Sequence, residues 1–399
     1  MPEFNEEFTT VPVGKLGIIA LPGCEKLSEK IDNYLSTWRR ERESEHKSTI
    51  AFSGYQKDSY ILNVDFTRFG TGEGKATIKE TVRGYDIFIV CDMFNYGLTY
   101  KMYGMDFPMS PDEHYANLKR AIAAIAGKAK RITVIMPMLY EGRQHKRSSR
   151  ESLDCALALQ ELCNGMGVDN IITFDAHDAR VQNAIPLKGF ENVTTSYQMI
   201  KAMVKNIDDI KIDKENLMIV SPDEGGMSRC IYYSTVLGVD LGMFYKRRDF
   251  SKVVNGRNPI IAHEFLGDDV EGKDIIVVDD MISSGESMLE VAQKLKALKA
   301  KRIFVFSSFG LFCNGLEKFD EAYKKGIINK VFTTNVVYRT PELLSKEWYC
   351  SVDLSKYIAY IVDTLNNDMS ISDLLNPAER IYKLLTSKGF NVPNHRKKK

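Results

Sequence analysis

From Tyr85 onward, short runs of apolar and β-branched residues alternate with segments long enough to form helices. Such alternation predicts an α/β fold, in which parallel sheets are covered by helices on both faces. The runs that fit strands are Asp86–Cys91, Arg131–Pro137, Asn170–Phe174, Leu217–Val220, Leu241–Tyr245, Asp274–Val278, Arg302–Ser307 and Val331–Thr334.

The alternation is interrupted near residues 180–195, where Pro186-Leu-Lys-Gly189 separates two series of strands and helices. We therefore predict two α/β domains, flanked by an extension at each end. The expected bounds are 1–60 for an N-terminal extension, 61–185 for the N-terminal domain, 186–345 for the C-terminal domain and 346–399 for a helical extension with a basic tail.

Both extensions contain segments that predict helices. The charged run Arg39-Arg-Glu-Arg-Glu-Ser-Glu45 is typical of an exposed helix. The amphipathic segments 354–365 and 371–385 predict a helical appendage after the second domain. The final residues, His395-Arg-Lys-Lys-Lys399, read as a solvated end.

Length and composition fit this organisation. The chain has 399 residues, of which 44% are hydrophobic, so it can build two domain cores. Its net charge of +1 gives no reason to expect nucleic acid or a membrane surface as a partner. The seven cysteines include no CxxC pair, and no apolar N-terminal run resembles a signal peptide. We therefore expect a cytoplasmic protein with reduced thiols.

The strongest candidate site follows the predicted strand Asp274–Val278. Two carboxylates, Asp279 and Asp280, stand at its carboxyl end, and the small-residue loop Ser283-Ser-Gly-Glu-Ser287 opens the next helix. Backbone N–H groups and hydroxyls at a helix start suit a phosphate, while the carboxylates can face sugar hydroxyls. The competing interpretation is an ordinary strand–turn–helix with a serine N-cap.

Two further strand ends carry candidate side chains. Asp175-Ala-His177 follows the strand Asn170–Phe174, so His177 is expected to face a crevice that Asp175 shares. Ser221-Pro-Asp-Glu-Gly-Gly226 adds Asp223 beside glycines that allow close approach of a phosphate. A hydrogen-bonded structural histidine and an ordinary acidic turn remain alternatives.

Two basic segments also follow strands. In the segment 136–150, Arg143 and Gln144 are candidates to grip polyphosphate oxygens. The run Phe244-Tyr-Lys-Arg-Arg-Asp249 is followed by a polar stretch up to about Pro259, a pattern typical of a mobile lid with cations at its base. A solvated basic loop and a plain surface hairpin are the competing interpretations.

Taken in chain order, these motifs resemble those of ribose-phosphate diphosphokinases, over roughly residues 65–338. The resemblance depends on the order of the set, since a phosphoribosyltransferase would need only the last motif. The matching motifs are Phe69-Gly-Thr-Gly-Glu73, Glu80-Thr-Val-Arg-Gly84, Gly142-Arg-Gln144, Asp175-Ala-His177, Ser221-Pro-Asp-Glu-Gly-Gly226, Lys246-Arg-Arg248 and Val278-Asp-Asp280.

The resemblance implies two tandem type I phosphoribosyltransferase-like domains, a homo-oligomer, ATP and ribose 5-phosphate as substrates, and magnesium as cofactor. It implies an adenine site that a neighbouring subunit shares. The roles it implies are ATP binding for Phe69, Thr71, Glu73, Arg143 and Gln144; magnesium association for His177 and Asp223; catalysis for Lys246 and Arg248; and ribose 5-phosphate binding for Asp279, Asp280, Ser283, Ser284, Gly285, Glu286 and Ser287.

The chain also departs from the family pattern. Thr71 stands where the family usually has Asn or Asp, Ser283 replaces an acid, Glu286 replaces a small residue and Phe309 takes a place often held by histidine. The segment 95–112 resembles an insertion. These departures keep open a catalytically silent associated subunit, beside the enzyme and a phosphoribosyltransferase. The presence of both Lys246 and Arg248 favours the enzyme, which transfers the diphosphoryl group of ATP to the anomeric hydroxyl of ribose 5-phosphate.

Overall fold

A computed structural model describes residues 11–44, 54–147, 149–248 and 260–391, and the chain divides into two compact units. The first unit comprises the chain up to Thr194 together with Asn335–Tyr338 and Asp353–Leu375. The second comprises Thr195–Thr334, Arg339–Val352 and the chain from Asn376. Among the described residues, no helix has the length and apolar character needed to cross a membrane.

The first unit is built around a parallel sheet. Its elements are β1 (Lys15–Ala20), α1 (Glu25–Ser44), β2 (Val64–Arg68), β3 (Gly74–Ile78), β4 (Tyr85–Val90), β5 (Thr99–Met102), β6 (Met105–Pro108), α2 (Pro111–Ile125), β7 (Arg131–Ile135), α3 (Asp154–Gln160), β8 (Asn170–Phe174), β9 (Gly189–Val193), α9 (Ser355–Asn366) and α10 (Ser372–Leu375). A π-helical turn, Glu161–Gly165, continues α3, and a 3₁₀ helix spans Ala179–Ala184. Five strands form the sheet in the order β1-β4-β7-β8-β9, and all neighbours are parallel.

The interior strand β4 is buried at every position, as expected of a strand covered on both faces. β1 pairs with it from Lys15 opposite Tyr85 to Ala20 opposite Val90. β1 therefore belongs to the domain core, which corrects the expected extension up to residue 60. The run was missed because it is short and stands apart from the later alternation.

Helix α1 also belongs to this core. The segment from Arg39 was expected to be exposed, but the Arg39 side chain is buried and bonded to Asp363 of α9. The helix packs on α9, so an arginine that reads as solvated in the sequence finds its partner more than 300 residues later. Glu45, the last residue of that run, lies outside the described residues.

Two antiparallel hairpins extend from this unit. β2 pairs with β3 around the segment 69–73, and β5 pairs with β6 around a turn at Tyr103 and Gly104. Both turn residues have positive φ, at 48° and 79°. The β5–β6 hairpin occupies most of the segment 95–112 that resembles an insertion.

The second unit contains a larger sheet. Its elements are α4 (Ser196–Asn206), β10 (Leu217–Ser221), α5 (Met227–Leu237), β11 (Asp240–Arg248), β12 (Ile260–Leu266), β13 (Asp274–Ile282), α6 (Glu286–Ala297), β14 (Arg302–Gly310), α7 (Glu317–Lys324), β15 (Lys330–Thr334), α8 (Pro341–Leu344), β16 (Tyr349–Val352) and α11 (Ala378–Ser387). The sheet order is β12-β11-β10-β13-β14-β15-β16, and β12 is antiparallel to β11 while the other neighbours are parallel.

The chain after residue 345 is more than the helical extension that the sequence predicts. β16 completes the sheet of the second unit, and α11 packs on α4 and α5 of that unit. α9 and α10 belong to the first unit. The amphipathic pattern marks these helices correctly, but a pattern does not say which unit covers their apolar faces.

The second sheet reverses its strand order between β10 and β13. From β10 the chain moves to β11 on one side, whereas β13 leads to β14 on the other. In open α/β sheets, ligands bind at the carboxyl ends of strands beside such a reversal. β10, β11 and β13 are parallel, so their carboxyl ends lie at one edge of the sheet.

Candidate active site

Adjacent carboxylates mark the carboxyl end of β13. Asp280 is buried and Asp279 is half-buried, and the backbone N–H of Asp280 donates to Oδ1 of Asp279 at 2.8 Å. Burial and the charge of Asp280 raise the pKa of the Asp279 carboxyl. A cation or a set of hydroxyl donors would relieve this repulsion, so the pair is suited to bind a polyol or a divalent ion.

Arg229 of α5 faces both carboxylates, a relationship that the sequence analysis missed. Its Nη1 lies 3.9 Å from Oδ1 of Asp279 and 3.9 Å from Oδ1 of Asp280. The available signal was its position, three residues after Gly226 at the start of the helix that follows β10. The guanidinium offsets part of the negative charge of the two carboxylates, which lie beside the reversal of strand order between β10 and β13.

Gly285 fixes the loop between β13 and α6. Its φ is +80°, and a Cβ at this position would lie 2.3 Å from the Phe319 ring, so a larger residue would strain both backbone and packing. The N–H of Cys313 donates to the carbonyl oxygen of Ser283 at 2.8 Å, and Ser284 Oγ accepts from the N–H of Glu286 at 3.4 Å. These contacts fix the position of the N-terminus of the twelve-residue helix α6, which has Ser287 in its first turn.

The charge of Glu286 is paired with a cation outside this loop. Its side chain is exposed, and its Oε1 accepts a hydrogen bond from Nζ of Lys318 at 2.6 Å. The ammonium lowers the pKa of the Glu286 carboxyl. The structure therefore pairs the one acidic residue of the loop with a cation of α7.

Asp223 shapes the turn after β10. Its Oδ1 accepts from the N–H groups of Gly225 at 2.9 Å and Gly226 at 3.2 Å, and Ser221 Oγ donates to its carbonyl oxygen at 2.7 Å. A Cβ at Gly226 would lie 2.8 Å from Ser221 Oγ, so the turn packs closely. Asp223 is exposed at the same sheet edge as Asp279, since β10 and β13 are parallel neighbours.

The predicted cations lie at the end of β11. The backbone of Lys246 pairs with His263 of β12, and the register shifts between Arg247 and Arg248. Because β11 is a parallel neighbour of β10, this strand end lies beside the Asp223 turn. Residues 249–259, which form most of the expected lid, lie outside the described residues.

In the first unit, His177 follows β8 on a backbone that β9 anchors. Asp175 has a φ of +39°, and its N–H donates to the carbonyl oxygen of Val193 at 2.9 Å. The N–H of Ala176 donates to Oδ1 of Asn192 at 2.9 Å. These bonds hold the segment in a strained conformation and leave the His177 side chain exposed.

His145 joins this site, although the sequence analysis did not identify it. Its ring meets the His177 ring edge-on, with 5.2 Å between centroids, and its Nε2 lies 3.4 Å from Oδ2 of Asp178. Burial lowers the pKa of His145, whereas hydrogen bonds from Arg180 hold the pKa of Asp178 at about 2. The available signal was its place directly after Gln144.

The contact between His145 and His177 also concerns Arg143 and Gln144, the residues predicted to bind polyphosphate oxygens. Arg143 and Gln144 directly precede His145, and the N–H of Gln144 donates to the carbonyl oxygen of Glu141 at 2.8 Å. Glu141 has a φ of +52°, so the chain turns sharply here. The Arg143 side chain is exposed.

The segment 69–73 forms a closed turn at the tip of the β2–β3 hairpin. The N–H of Phe69 donates to the carbonyl oxygen of Glu73 at 2.9 Å, and that of Gly72 donates to Phe69 at 2.8 Å. Thr71 Oγ1 donates to Oε2 of Glu73 at 2.8 Å, so the threonine that departs from the family pattern is bonded within the turn. Phe69 remains 49% exposed, a large apolar surface at a loop tip. Phe309, the aromatic residue that departs from the family pattern, is buried.

Both units match models of protein families. Residues 16–166 match the N-terminal domain of ribose phosphate pyrophosphokinase, and residues 189–341 match the phosphoribosyl transferase domain. The first match begins within β1, in agreement with the pairing of β1 in the sheet.

The chain is also similar to curated proteins over most of its length. It is 30% identical over 325 residues to a ribose-phosphate pyrophosphokinase of Haemophilus influenzae, covering 79% of this chain and 93% of the relative. It is 30% identical over 311 residues to the protein of that name from Pasteurella multocida, covering 76% and 88%. For the protein from Vibrio cholerae the identity is 29% over 327 residues, covering 79% and 93%.

The fold matches a solved structure of the same kind. The phosphoribosylpyrophosphate synthetase of Mycobacterium smegmatis superposes with a TM-score of 0.70, covering 89% of this chain and 99% of that one, at 20% identity. This match confirms the expected fold, with parallel sheets in two phosphoribosyltransferase-like units.

Proposed function

Because the chain belongs to the ribose-phosphate pyrophosphokinase family, we propose that it transfers the diphosphoryl group of ATP to the anomeric hydroxyl of ribose 5-phosphate. The hydroxyl oxygen forms a bond to the β-phosphorus, the bond between that phosphorus and the oxygen it shares with the α-phosphorus breaks, and AMP leaves with that oxygen. The hydroxyl proton passes to water. The products are 5-phosphoribosyl 1-diphosphate and AMP.

One observation carries this proposal for the second unit: a carboxylate pair and the glycine-fixed start of α6 stand on either side of one short loop. The N–H groups from Ser283 to Ser287 hold the 5-phosphate, because a helix start supplies both donors and a favourable dipole. The carboxylates of Asp279 and Asp280 accept hydrogen bonds from the ribose hydroxyls. Arg229 keeps this acidic pair from repelling the diphosphate as it forms.

The cations at the end of β11 supply charge during transfer. Diphosphoryl transfer depends on in-line positioning and on neutralising charge on the moving oxygens. Lys246 and Arg248 meet this need from the strand end beside the Asp223 turn.

We assign ATP contacts to the first unit. Arg143 and Gln144 contact the phosphates, and the Phe69–Glu73 turn takes adenine, with Phe69 as the apolar surface and Thr71 and Glu73 as polar neighbours. In this proposal the protein is a homo-oligomer in which the adenine site is shared with a neighbouring subunit. Support comes from the exposed Phe69 ring and from the order of the family motifs.

The donor chemistry fits magnesium as cofactor. Magnesium in nucleotide sites is held by one or two carboxylates together with phosphate oxygens and water, and does not need a full protein cage. Asp223 is exposed at the sheet edge and has one carboxylate oxygen engaged by its own turn, while His177 is exposed in the first unit. When bound with ATP, magnesium neutralises charge on the phosphate oxygens.

The described cysteines are all free thiols, which supports the proposed cytoplasmic location.

A product assay tests the proposal directly. Purified protein is incubated with ATP, magnesium and ribose 5-phosphate, and AMP and phosphoribosyl diphosphate are quantified together. Equal amounts of both products are expected, and Asp280→Asn should abolish them. Asp268→Asn is the matched control, because it removes an exposed carboxylate from the turn before β13.

The rival functions give different results in the same assay. A phosphoribosyltransferase would release diphosphate from phosphoribosyl diphosphate and a nitrogen base, with no need for ATP. A silent subunit would give no product with either substrate set and would still bind phosphoribosyl diphosphate. Either result would overturn the proposed reaction.

A further inference from the structure

The β5–β6 hairpin lies against the turn that carries Phe69. The N–H of Tyr103, at the hairpin tip, donates to the carbonyl oxygen of Gly70 at 2.8 Å. This backbone bond joins the two loop tips and helps to fix their relative position. The inserted segment is therefore in direct contact with the proposed adenine turn.

Packing reinforces this bond at Gly72. Its φ is +91°, and a Cβ there would lie 2.6 Å from Sδ of Met102, the last residue of β5. The thioether thus occupies the space that a side chain at position 72 would need. Removing it would leave a void beside Gly72 and loosen the packing of the hairpin on the turn.

Arg68 provides a second connection between the hairpin and the turn. Its Nη1 donates to the carbonyl oxygen of Gly72 at 2.9 Å, and its guanidinium carbon lies 4.8 Å from the centroid of the Tyr100 ring. Its Nη2 is 3.0 Å from Oε2 of Glu113 in α2. Tyr100 and α2 together hold the arginine in the orientation that bonds the turn.

From these contacts we propose that the β5–β6 hairpin is a positioning element for nucleotide binding. Met102, acting through Gly72, and Tyr100, acting through Arg68, hold the Phe69 ring in the conformation that stacks on the base of ATP. This role rests on the proposed function, in which Phe69 contacts adenine. A turn held in its binding conformation loses less entropy when the ligand binds, so the hairpin raises affinity for the nucleotide without touching it.

Two methionines of the hairpin allow a matched test. Met102 and Met105 are opposite each other in the β5–β6 register, but Met102 packs on the turn whereas Met105 is 57% exposed. Met102→Ala should raise KM for ATP about tenfold, which corresponds to a loss of about 1.4 kcal/mol in binding free energy. KM for ribose 5-phosphate and kcat at saturating ATP should stay within about twofold of the wild type. Met105→Ala should change none of the three.

Binding and rescue separate positioning from general loss of structure. Calorimetric titration of magnesium and ATP, without ribose 5-phosphate, should show the same weakening for Met102→Ala and recovery for Met102→Leu, which restores the volume. Tyr100→Leu should also lower the affinity for ATP, because Arg68 then loses its contact with the Tyr100 ring. Thermal unfolding of all variants detects any that fail to fold, and Met102→Leu and Tyr100→Leu then decide the question.

The outcomes distinguish this role from the reaction itself. If the wild type forms product but Met102→Ala and Met105→Ala have the same KM for ATP, the positioning role is wrong and the reaction stands. If the wild type binds ATP without forming product, the reaction is wrong, and the calorimetric comparison still decides the hairpin. If the wild type does not bind ATP at all, both proposals fail.

Discussion

Arg39 and Asp363 form a buried ion pair between helices near opposite ends of the chain. Nη2 of Arg39 lies 3.1 Å from Oδ1 of Asp363, and their side chains are 1% and 6% exposed. Arg39 Nη2 also donates to Oδ1 of Asn366 at 2.8 Å, and Arg42 contacts the same aspartate. The pair fixes α9 on α1 and so makes the late helix part of the first unit.

Removing Asp363 should therefore destabilise the first unit. Asp363→Ala leaves the Arg39 charge buried without its counter-ion, which typically costs about 3–5 kcal/mol. The midpoint of urea unfolding should fall accordingly. Asp65→Ala is the control, since the Asp65 and Lys79 side chains are about half exposed and such pairs contribute about 0–1 kcal/mol. Equal effects of the two substitutions would contradict the structural role of the buried pair.

Lys246→Ala should reduce turnover far more than substrate binding. Its charge is needed most when the diphosphoryl group is in transit, and loss of one such contact typically lowers kcat on the order of a hundred- to a thousand-fold. Steady-state kinetics with both substrates saturating gives the answer. Lys301→Ala, an exposed lysine before the amino end of β14, is the control. An unchanged kcat would remove Lys246 from the mechanism.

Glu286→Gly should change the affinity for ribose 5-phosphate only modestly. Its carboxylate is exposed and paired with Lys318, so the phosphate gains little when it is removed. Asp280→Ala should instead weaken binding severely, roughly ten- to a hundred-fold, because it deletes a charged acceptor of the sugar hydroxyls. Titration of ribose 5-phosphate into both variants checks this. A many-fold gain for Glu286→Gly, together with no binding by the parent protein, would favour the silent subunit.

Asp279→Asn should stabilise the ligand-free protein at neutral and alkaline pH. Burial and Asp280 raise the folded-state pKa of Asp279. Its contribution to stability is therefore complete below the ordinary carboxyl pKa of about 3.9 and is lost as pH rises through the folded-state pKa. The substitution removes this loss and should raise the thermal midpoint by roughly a few degrees at neutral and alkaline pH.

Thermal scans from acid to alkaline pH, without ligands, measure the effect. The midpoint of Asp279→Asn should exceed that of the wild type at high pH, and the two should converge toward acid pH. Asp268→Asn should follow the wild type throughout. A lower midpoint for Asp279→Asn at pH 8 would show that the carboxylate is stabilised by Arg229 rather than strained by Asp280.

Magnesium bound with ATP is expected to contact Asp223 of the second unit, and the motif order assigns a magnesium role to His177 of the first unit as well, so each position is tested separately. Because magnesium keeps several waters, these contacts will be few or water-mediated. A structure with magnesium and an ATP analogue measures the distances. Either side chain lying well away from the metal and the triphosphate would contradict its own assignment.

The sequence by itself determined the central strands, the order of the motifs and the family. β4 is buried at every position and β13 is buried from Asp274 to Val278, so the composition of these runs alone marks them. The carboxylate pair and the loop up to Ser287 follow directly from β13, which is why local reading located them. The family expected from the motif order is confirmed by the matches over both units.

Only the tertiary structure decided the residues whose partners are distant in the chain. Arg39 reads as solvated until α9 covers it, Arg229 gains its role when α5 faces the end of β13, and Met102 matters because its hairpin reaches the Phe69 turn. Hydrophobic periodicity reports which face of an element is buried, but not which element buries it. The contacts of these three residues depend on which elements pack together, and only the folded structure decides that.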